Sequence, residues 1–235
     1  MIYIIGDSHV SVFSGTDKGS DGLRHIQPEF GTCYTIKLGS LRPHNLFEQR
    51  IPYFLPIKIG SFTAYNSFNK IPIIEKVIEE YVISNDDYIF LCMGEIDIRN
   101  HIGPSAEKNN ITINESIKIC VDRYMDTIRY LKSKGNNICV YGPPASSIGW
   151  EDTFGYKDLK FRNIMTVEFN RYLRSICDEE NIIFIDIASE MMMLNGETDP
   201  KYIMDDIHLS QEAMPLIKEK FKKIIKTQNG KNRIF

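Results

Sequence analysis

Five short apolar runs punctuate the chain, at 2–5, 55–59, 88–93, 138–141 and 182–187. Each is a continuous stretch rich in β-branched and aromatic residues rather than an alternation of apolar with polar. That pattern suits strands buried on both faces. Between the runs lie stretches with helical periodicity. In 71–83 the stripe is Ile74, Val77, Ile78 and Tyr81; in 112–134 it is Ile113, Ile117, Cys120, Tyr124, Ile128 and Leu131. A third helix is expected over about 161–180, with Met165, Phe169, Leu173 and Ile176 on one side, and a fourth over about 210–226. Thr112 and Glu115 have the spacing of a capping box, and Gly135 is a helix stop. Ser210 is a candidate cap for the last helix, although Pro215 sits too deep for a regular first turn.

Strands alternating with helices predict an α/β fold: a five-stranded parallel sheet in a three-layer sandwich, with helices on both faces. Ligands in such folds bind beyond the carboxyl ends of the strands. The polar and glycine-bearing segments fall where that rule places them. They are GDSH (6–9), GSFTAYN (60–66), GEIDIR (94–99), GPP (142–144) and, before the last helix, DDIHLS (205–210). All five are expected to be loops at one sheet edge, with the first strand at the centre of the sheet. The segment 11–54, rich in Gly and Pro, reads as a long loop or flap over that edge.

At 235 residues one domain spanning 1–235 is expected, and a net charge of −3 gives no pull toward nucleic acid or an anionic membrane. There is no run long enough for a membrane span, and the first apolar run is too short and lacks a basic flank for an export signal. The five cysteines, Cys33, Cys92, Cys120, Cys139 and Cys177, are widely spaced with no C-x-x-C pair. They read as buried thiols, and together these features predict a cytoplasmic protein. The sequence leaves the oligomeric state undetermined.

Ser8 sits where the first strand turns. A serine hydroxyl attacks only when a base takes its proton, and that base is most often a histidine held by a carboxylate. His208, with Asp205 three residues before it, is the natural pair. A metal site from His9, His101, Asp205 and His208 is disfavoured, because no two of them have the spacing of a zinc motif. Neither a dinucleotide fingerprint nor a Walker loop follows the first strand, so no cofactor is expected.

Gly6-Asp7-Ser8-His9 near one end and Asp205-x-x-His208 near the other resemble the SGNH/GDSL hydrolase superfamily. The resemblance implies a flavodoxin-like sandwich, Ser8 as nucleophile, His208 as base and Asp205 as its orienting acid. It also implies an oxyanion hole using the backbone N–H groups of Ser8 and of a glycine, Gly60 or alternatively Gly39. The family's third donor is an asparagine side chain, but G-x-N-D becomes Gly94-Glu95-Ile96-Asp97 here, and an isoleucine donates nothing. Losing one such donor costs about two to three orders of magnitude in rate. Arg99, Asn66 and Asn163 are candidate substitutes. Asp7, His9, Asn66, Glu95, Asp97, Arg99 and Asn163 are candidates for the substrate-binding surface, with a local ion pair bracing the loop as the equal alternative for Glu95, Asp97 and Arg99.

GEIDIR, TAYN and GPP also resemble a bacterial subgroup associated with surface-glycan biosynthesis, which implies an acylated sugar as ligand. Tyr65, Tyr141, Trp150, Phe154 and Tyr156 are possible stacking faces, with packing the commoner role for such residues. The expectation is a serine esterase acting on an O-acyl or O-acetyl group of a carbohydrate. The alternatives are an acyltransferase using the same acyl-enzyme, and a glycan-binding protein with little catalysis.

Overall fold

The computed structural model describes residues 1–14, 54–60, 62–147, 158–205 and 207–231. Its centre is a five-stranded, all-parallel sheet in the order β2-β1-β3-β4-β5. The strands are β1 (Ile2–Gly6), β2 (Phe54–Lys58), β3 (Tyr88–Cys92), β4 (Ile138–Tyr141) and β5 (Phe184–Ile185). Every apolar run is a strand, as its composition dictates. The order places β3 at the centre. β1 lies one position to the side, which corrects the expectation that the first strand is central.

Alternate residues of the strands feed two separate cores. Tyr3, Ile5, Ile57, Ile89 and Leu91 pack with α1 (Ile71–Glu80), α4 (Ile113–Ser133) and α5 (Leu159–Glu179). Ile2, Ile4, Phe54, Phe90 and Tyr141 pack on the opposite face with α6 (Met214–Lys231). Phe221 of α6 sits at the middle of an aromatic cluster with Phe13, Phe54 and Phe90, its ring centroid 4.7 Å from that of Phe90. Tyr141 is fully buried there, a core residue rather than a sugar platform. Cys92, Cys120, Cys139 and Cys177 are buried and unbridged.

Local chemistry sets the helix ends. The side chain of Thr112 accepts from the Glu115 N–H while the Glu115 side chain accepts from Thr112, completing the capping box of α4. Asp158 caps α5 by accepting from the N–H groups of Lys160 and Phe161, so this helix starts slightly earlier than its apolar stripe. Ser210 caps a 3-10 turn, Gln211–Ala213, and α6 proper begins at Met214. Pro215 therefore occupies the first turn, where its missing N–H costs nothing.

Two segments expected to be loops are helical. Ser8–Ser14 forms a 3-10 helix whose Val10, Val12 and Phe13 are buried, so the start of the expected 11–54 flap belongs to the core. The rest of that flap, 15–53, with Gly39, lies outside the described residues, as do Cys33, Trp150, Phe154 and Tyr156. GEIDIR is also no loop. It forms α2 (Glu95–Asn100), followed by α3 (Ile102–Asn109). Gly94 starts α2 at φ 119°, a backbone state that suits glycine and lets the chain turn from β3 into a helix without an intervening loop.

At the end of β1, Gly6 has Cys92 of β3 as its register partner. A Cβ on Gly6 would fall on the Cys92 carbonyl oxygen, well inside contact distance. Gly6→Ala is therefore expected to destabilise the fold by about 3 kcal/mol or more. Thr112→Ala, which removes only a cap, is expected to cost about 1 kcal/mol. Urea denaturation of both variants against wild type checks the ordering.

Candidate active site

The chain leaves β1 through a turn fixed by its own polar groups. The Asp7 N–H donates to the Cys92 carbonyl at 3.2 Å, and the Asp7 carboxylate accepts the His9 N–H at 2.9 Å. Ser8 is half-buried at the first position of the 3-10 helix. Asp7 itself is buried, and burial pushes its carboxyl up to about 6 against the lowering effect of His9. Asp7 braces the turn that carries Ser8.

The second half of the site comes from the loop before α6. His208 Nδ1 lies 2.8 Å from Asp205 Oδ2, and the same carboxylate accepts the His208 backbone N–H at 2.7 Å. This double hold fixes both the position and the tautomer of the ring. The His208 side chain is 5% exposed and Asp205 39%. Burial, with His9 nearby, lowers the affinity of His208 for a proton, while Asp205 works the other way. Asp205 is held below the usual carboxylate range: the hydrogen bonds from His208 and Ile207 outweigh burial. The ring of His208 faces that of His9, the residue after Ser8, with centroids 5.6 Å apart.

α2 supplies a third wall. Arg99 grips Glu95 through two hydrogen bonds, Nε to Oε1 at 2.8 Å and Nη2 to Oε2 at 3.2 Å. The other partner of Glu95 is His9, with Nε2 3.2 Å from Oε2. That pair is close without the alignment of a hydrogen bond, and it is an ion pair when the ring is protonated. Burial would raise the Glu95 carboxyl, but His9 and Arg99 together hold it near 2. Asp97, two residues on, faces a different neighbour. Its carboxylate accepts the N–H groups of Ala64 at 2.6 Å and Tyr65 at 3.3 Å, clamping the segment that follows Gly60. Burial dominates here and lifts Asp97 to about 7. The ion pair joins Glu95 to Arg99, and the clamp ties α2 to the segment after Gly60.

The candidate oxyanion donors divide. Gly60 has φ 104°, and neither its N–H nor that of Ser8 is taken by another described residue. Asn163 is excluded as a donor. Its amide gives both hydrogens away, to Gly196 O at 2.9 Å and Thr198 Oγ1 at 3.1 Å, while its oxygen accepts from the Ser146 N–H. It ties α5 to the loops after β4 and β5. Asn66 is exposed and lines a cleft of about 510 Å³ with Thr63, Tyr65, His101 and Lys108; neither Ser8 nor His208 lines that cleft. Tyr65 carries the Arg123 guanidinium 4.0 Å above its ring, so one of its faces is already covered. Ile96, in the slot of the family's asparagine, is half-buried.

Residues 62–214 match the GDSL-like Lipase/Acylhydrolase family. The chain belongs to this family. Solved structures agree on the fold. A Bacteroides fragilis protein superposes with a TM-score of 0.60 at 12% identity, covering 97% of this chain and 86% of the other. A GDSL-like lipase from Bacteroides thetaiotaomicron gives 0.58 at 10% identity, covering 97% and 88%. A carbohydrate acetylesterase family member from Sinorhizobium meliloti gives 0.52 at 16% identity, covering 98% and 100%. Comparison with curated protein sequences gives no match.

Within the GDSL-like family match lie α2 and the Asp205–His208 pair, whereas β1 and the Ser8 turn precede it. Sequence reasoning missed one member of the site's charge cluster. Arg162 is 4% exposed, donates to the Ser147 carbonyl at 2.8 Å, and lies in electrostatic range of Glu95 and Arg99. Its signal was available: it occupies the buried stripe of α5 with Met165, Phe169 and Leu173, where a cation is out of place. Among the described residues no cluster of His, Cys, Asp or Glu is arranged to hold a metal, and no helix is long and apolar enough to cross a membrane.

Asp97 gives this site a pH signature. Its carboxyl is lifted from 3.8 to about 7 in the fold, so the native state binds a proton more tightly than the unfolded chain. The contribution is present at low pH and lost as pH rises from about 4 to about 7. Asp97→Asn removes that dependence. Wild-type stability measured relative to Asp97→Asn is expected to fall by up to about 4 kcal/mol across this window. Urea titrations of both proteins at stepped pH check the slope.

Proposed function

We propose that this GDSL-like acylhydrolase is a serine esterase, one domain over 1–235, that removes an O-acyl or O-acetyl group from a carbohydrate. The observation that carries the reading is the Asp205–His208 pair, held at 2.8 Å, with its ring packed beside the residue that follows Ser8. In this reading the Ser8 hydroxyl attacks the acyl carbonyl carbon. His208 takes the hydroxyl proton on Nε2, and Asp205 stabilises the imidazolium through Nδ1–H. The tetrahedral oxyanion is received by the backbone N–H groups of Ser8 and Gly60. Collapse breaks the ester bond, and His208 returns the proton to the departing sugar hydroxyl. Water, deprotonated by His208, then cleaves the acyl-enzyme and restores Ser8. The carbohydrate substrate is supported by the acetylesterase among the structural neighbours.

A glycan-binding role with little catalysis is the second reading. It is favoured by Ile96 in the asparagine slot and by the Asn163 amide being fully engaged elsewhere.

Labelling with a fluorophosphonate, followed by peptide mass spectrometry, separates the two. Wild type is expected to carry an adduct on Ser8. His208→Ala should abolish it, and Asp205→Asn should slow labelling by about 10³-fold or more. No adduct on folded wild type would turn the assignment to the binding role. Incubation of the labelling-competent protein with an acetylated xylo-oligosaccharide is expected to release acetate. Acetate appearing on an added glycan acceptor instead would identify an acyltransferase.

A further inference from the structure

Two histidine rings lie together at the site, and the reaction above uses one of them. His9 is 2% exposed and is wedged between the nucleophile turn, α2 and the His208 loop. Its backbone N–H is spent on Asp7, its Nε2 faces Glu95 at 3.2 Å, and its Nδ1 is buried without a hydrogen-bond partner. Nδ1 is out of reach of a substrate. His9 therefore acts on the reaction through its neighbours.

The surroundings of the two rings differ in how firmly they hold a proton. Around His9 stand Glu95, 4% exposed, and Asp7, 1% exposed; Arg99, paired with Glu95, opposes them and is the smaller effect. Around His208 stands Asp205, 39% exposed and so screened by solvent, together with the more distant Glu95. Arg162, on α5, adds positive charge near the Glu95–Arg99 pair. Burial opposes a charge on both rings; at His9 the close, buried Glu95 and the nearby Asp7 outweigh it, whereas at His208 burial and the neighbouring His9 outweigh the solvent-facing Asp205. On this balance the first proton is expected on His9 as pH falls. Its charge, one ring away at 5.6 Å, then opposes a second proton on His208.

We propose that His9 is a positioning residue: clamped by Glu95, it keeps a positive charge beside His208, so that His208 stays a proton acceptor in mildly acid solution. The inference rests on His208 serving as the base for Ser8. It also gives the GEIDIR segment a role: Glu95 holds His9, and Arg99 holds Glu95.

The decisive measurement is a pH titration of the five histidines in the full-length chain by long-range ¹H–¹⁵N NMR, with sequential assignment. In wild type, His9 is expected to protonate at higher pH than His208. In His9→Gln, the His208 midpoint is expected to rise by about half a unit or more, a loss of about threefold or more in the basic form at a pH below the midpoint. The rate of fluorophosphonate labelling of Ser8 against pH should show the same displacement of its acid limb. A purely structural His9 would lower the plateau of that profile and leave its midpoint in place. The proposal is overturned if His208 protonates before His9 in wild type, or if the His208 midpoint in His9→Gln is unmoved or falls. Should His9→Gln not fold, the order of protonation in wild type decides. If wild type takes no label at any pH, the serine-hydrolase reading fails, while the NMR order still tests the coupling of the two rings.

Discussion

The register between β1 and β3 is the constraint on which the site depends. Gly6 lies opposite Cys92 because glycine alone admits the Cys92 carbonyl so close. The next N–H, that of Asp7, closes onto the same carbonyl. Both chains therefore leave the sheet at one level, side by side. One continues into the turn that carries Ser8 and His9; the other bends at Gly94 directly into α2. The contact between His9 and Glu95 follows from this arrangement, since each lies within three residues of the paired ends.

Two carboxylates in the first turn of α2 show how partners, rather than burial, decide ionisation. Glu95 and Asp97 are both almost fully buried. Glu95 meets a guanidinium and an imidazole and is held near 2; Asp97 meets only neutral donors and a thiol and is lifted to about 7. Full charges opposite a buried carboxylate offset its desolvation, whereas backbone N–H groups do so in part. The first arrangement stores a charge pair beside the Ser8 turn. The second fastens a loop.

Much of the fold was legible because buried strands have to be written as mostly apolar runs, and all five were, with Lys58 and Asp186 the polar exceptions. The capping box of α4 was legible for the same kind of reason, since only that spacing satisfies both N–H groups. α2 was not. Its six residues include Glu95, Asp97 and Arg99, whose polarity looks like a loop until the sheet edge buries it. The Ser8–Ser14 helix was hidden by its shortness, with buried Val12 and Phe13 as the missed signal. At the site, pairing Asp205 with His208 needs only the reach of three residues. The spent amide of Asn163 and the place of Arg162 depend on loops that meet α5 from distant parts of the chain, which no local pattern records.

Helix α2 also works as a spacer with a fixed rotational phase. Successive residues of a helix turn by about 100°, so Glu95 and Asp97 leave its axis on nearly opposite sides, about 200° apart. A single turn thereby reaches His9 on one flank and the backbone of Ala64 and Tyr65 on the other. Insertion or loss of one residue between Cys92 and Glu95 would rotate both carboxylates off their partners at once, with the sheet itself untouched. The chain is thus far less tolerant of a length change at this junction than of an exchange of side chains on the outer face of the same helix.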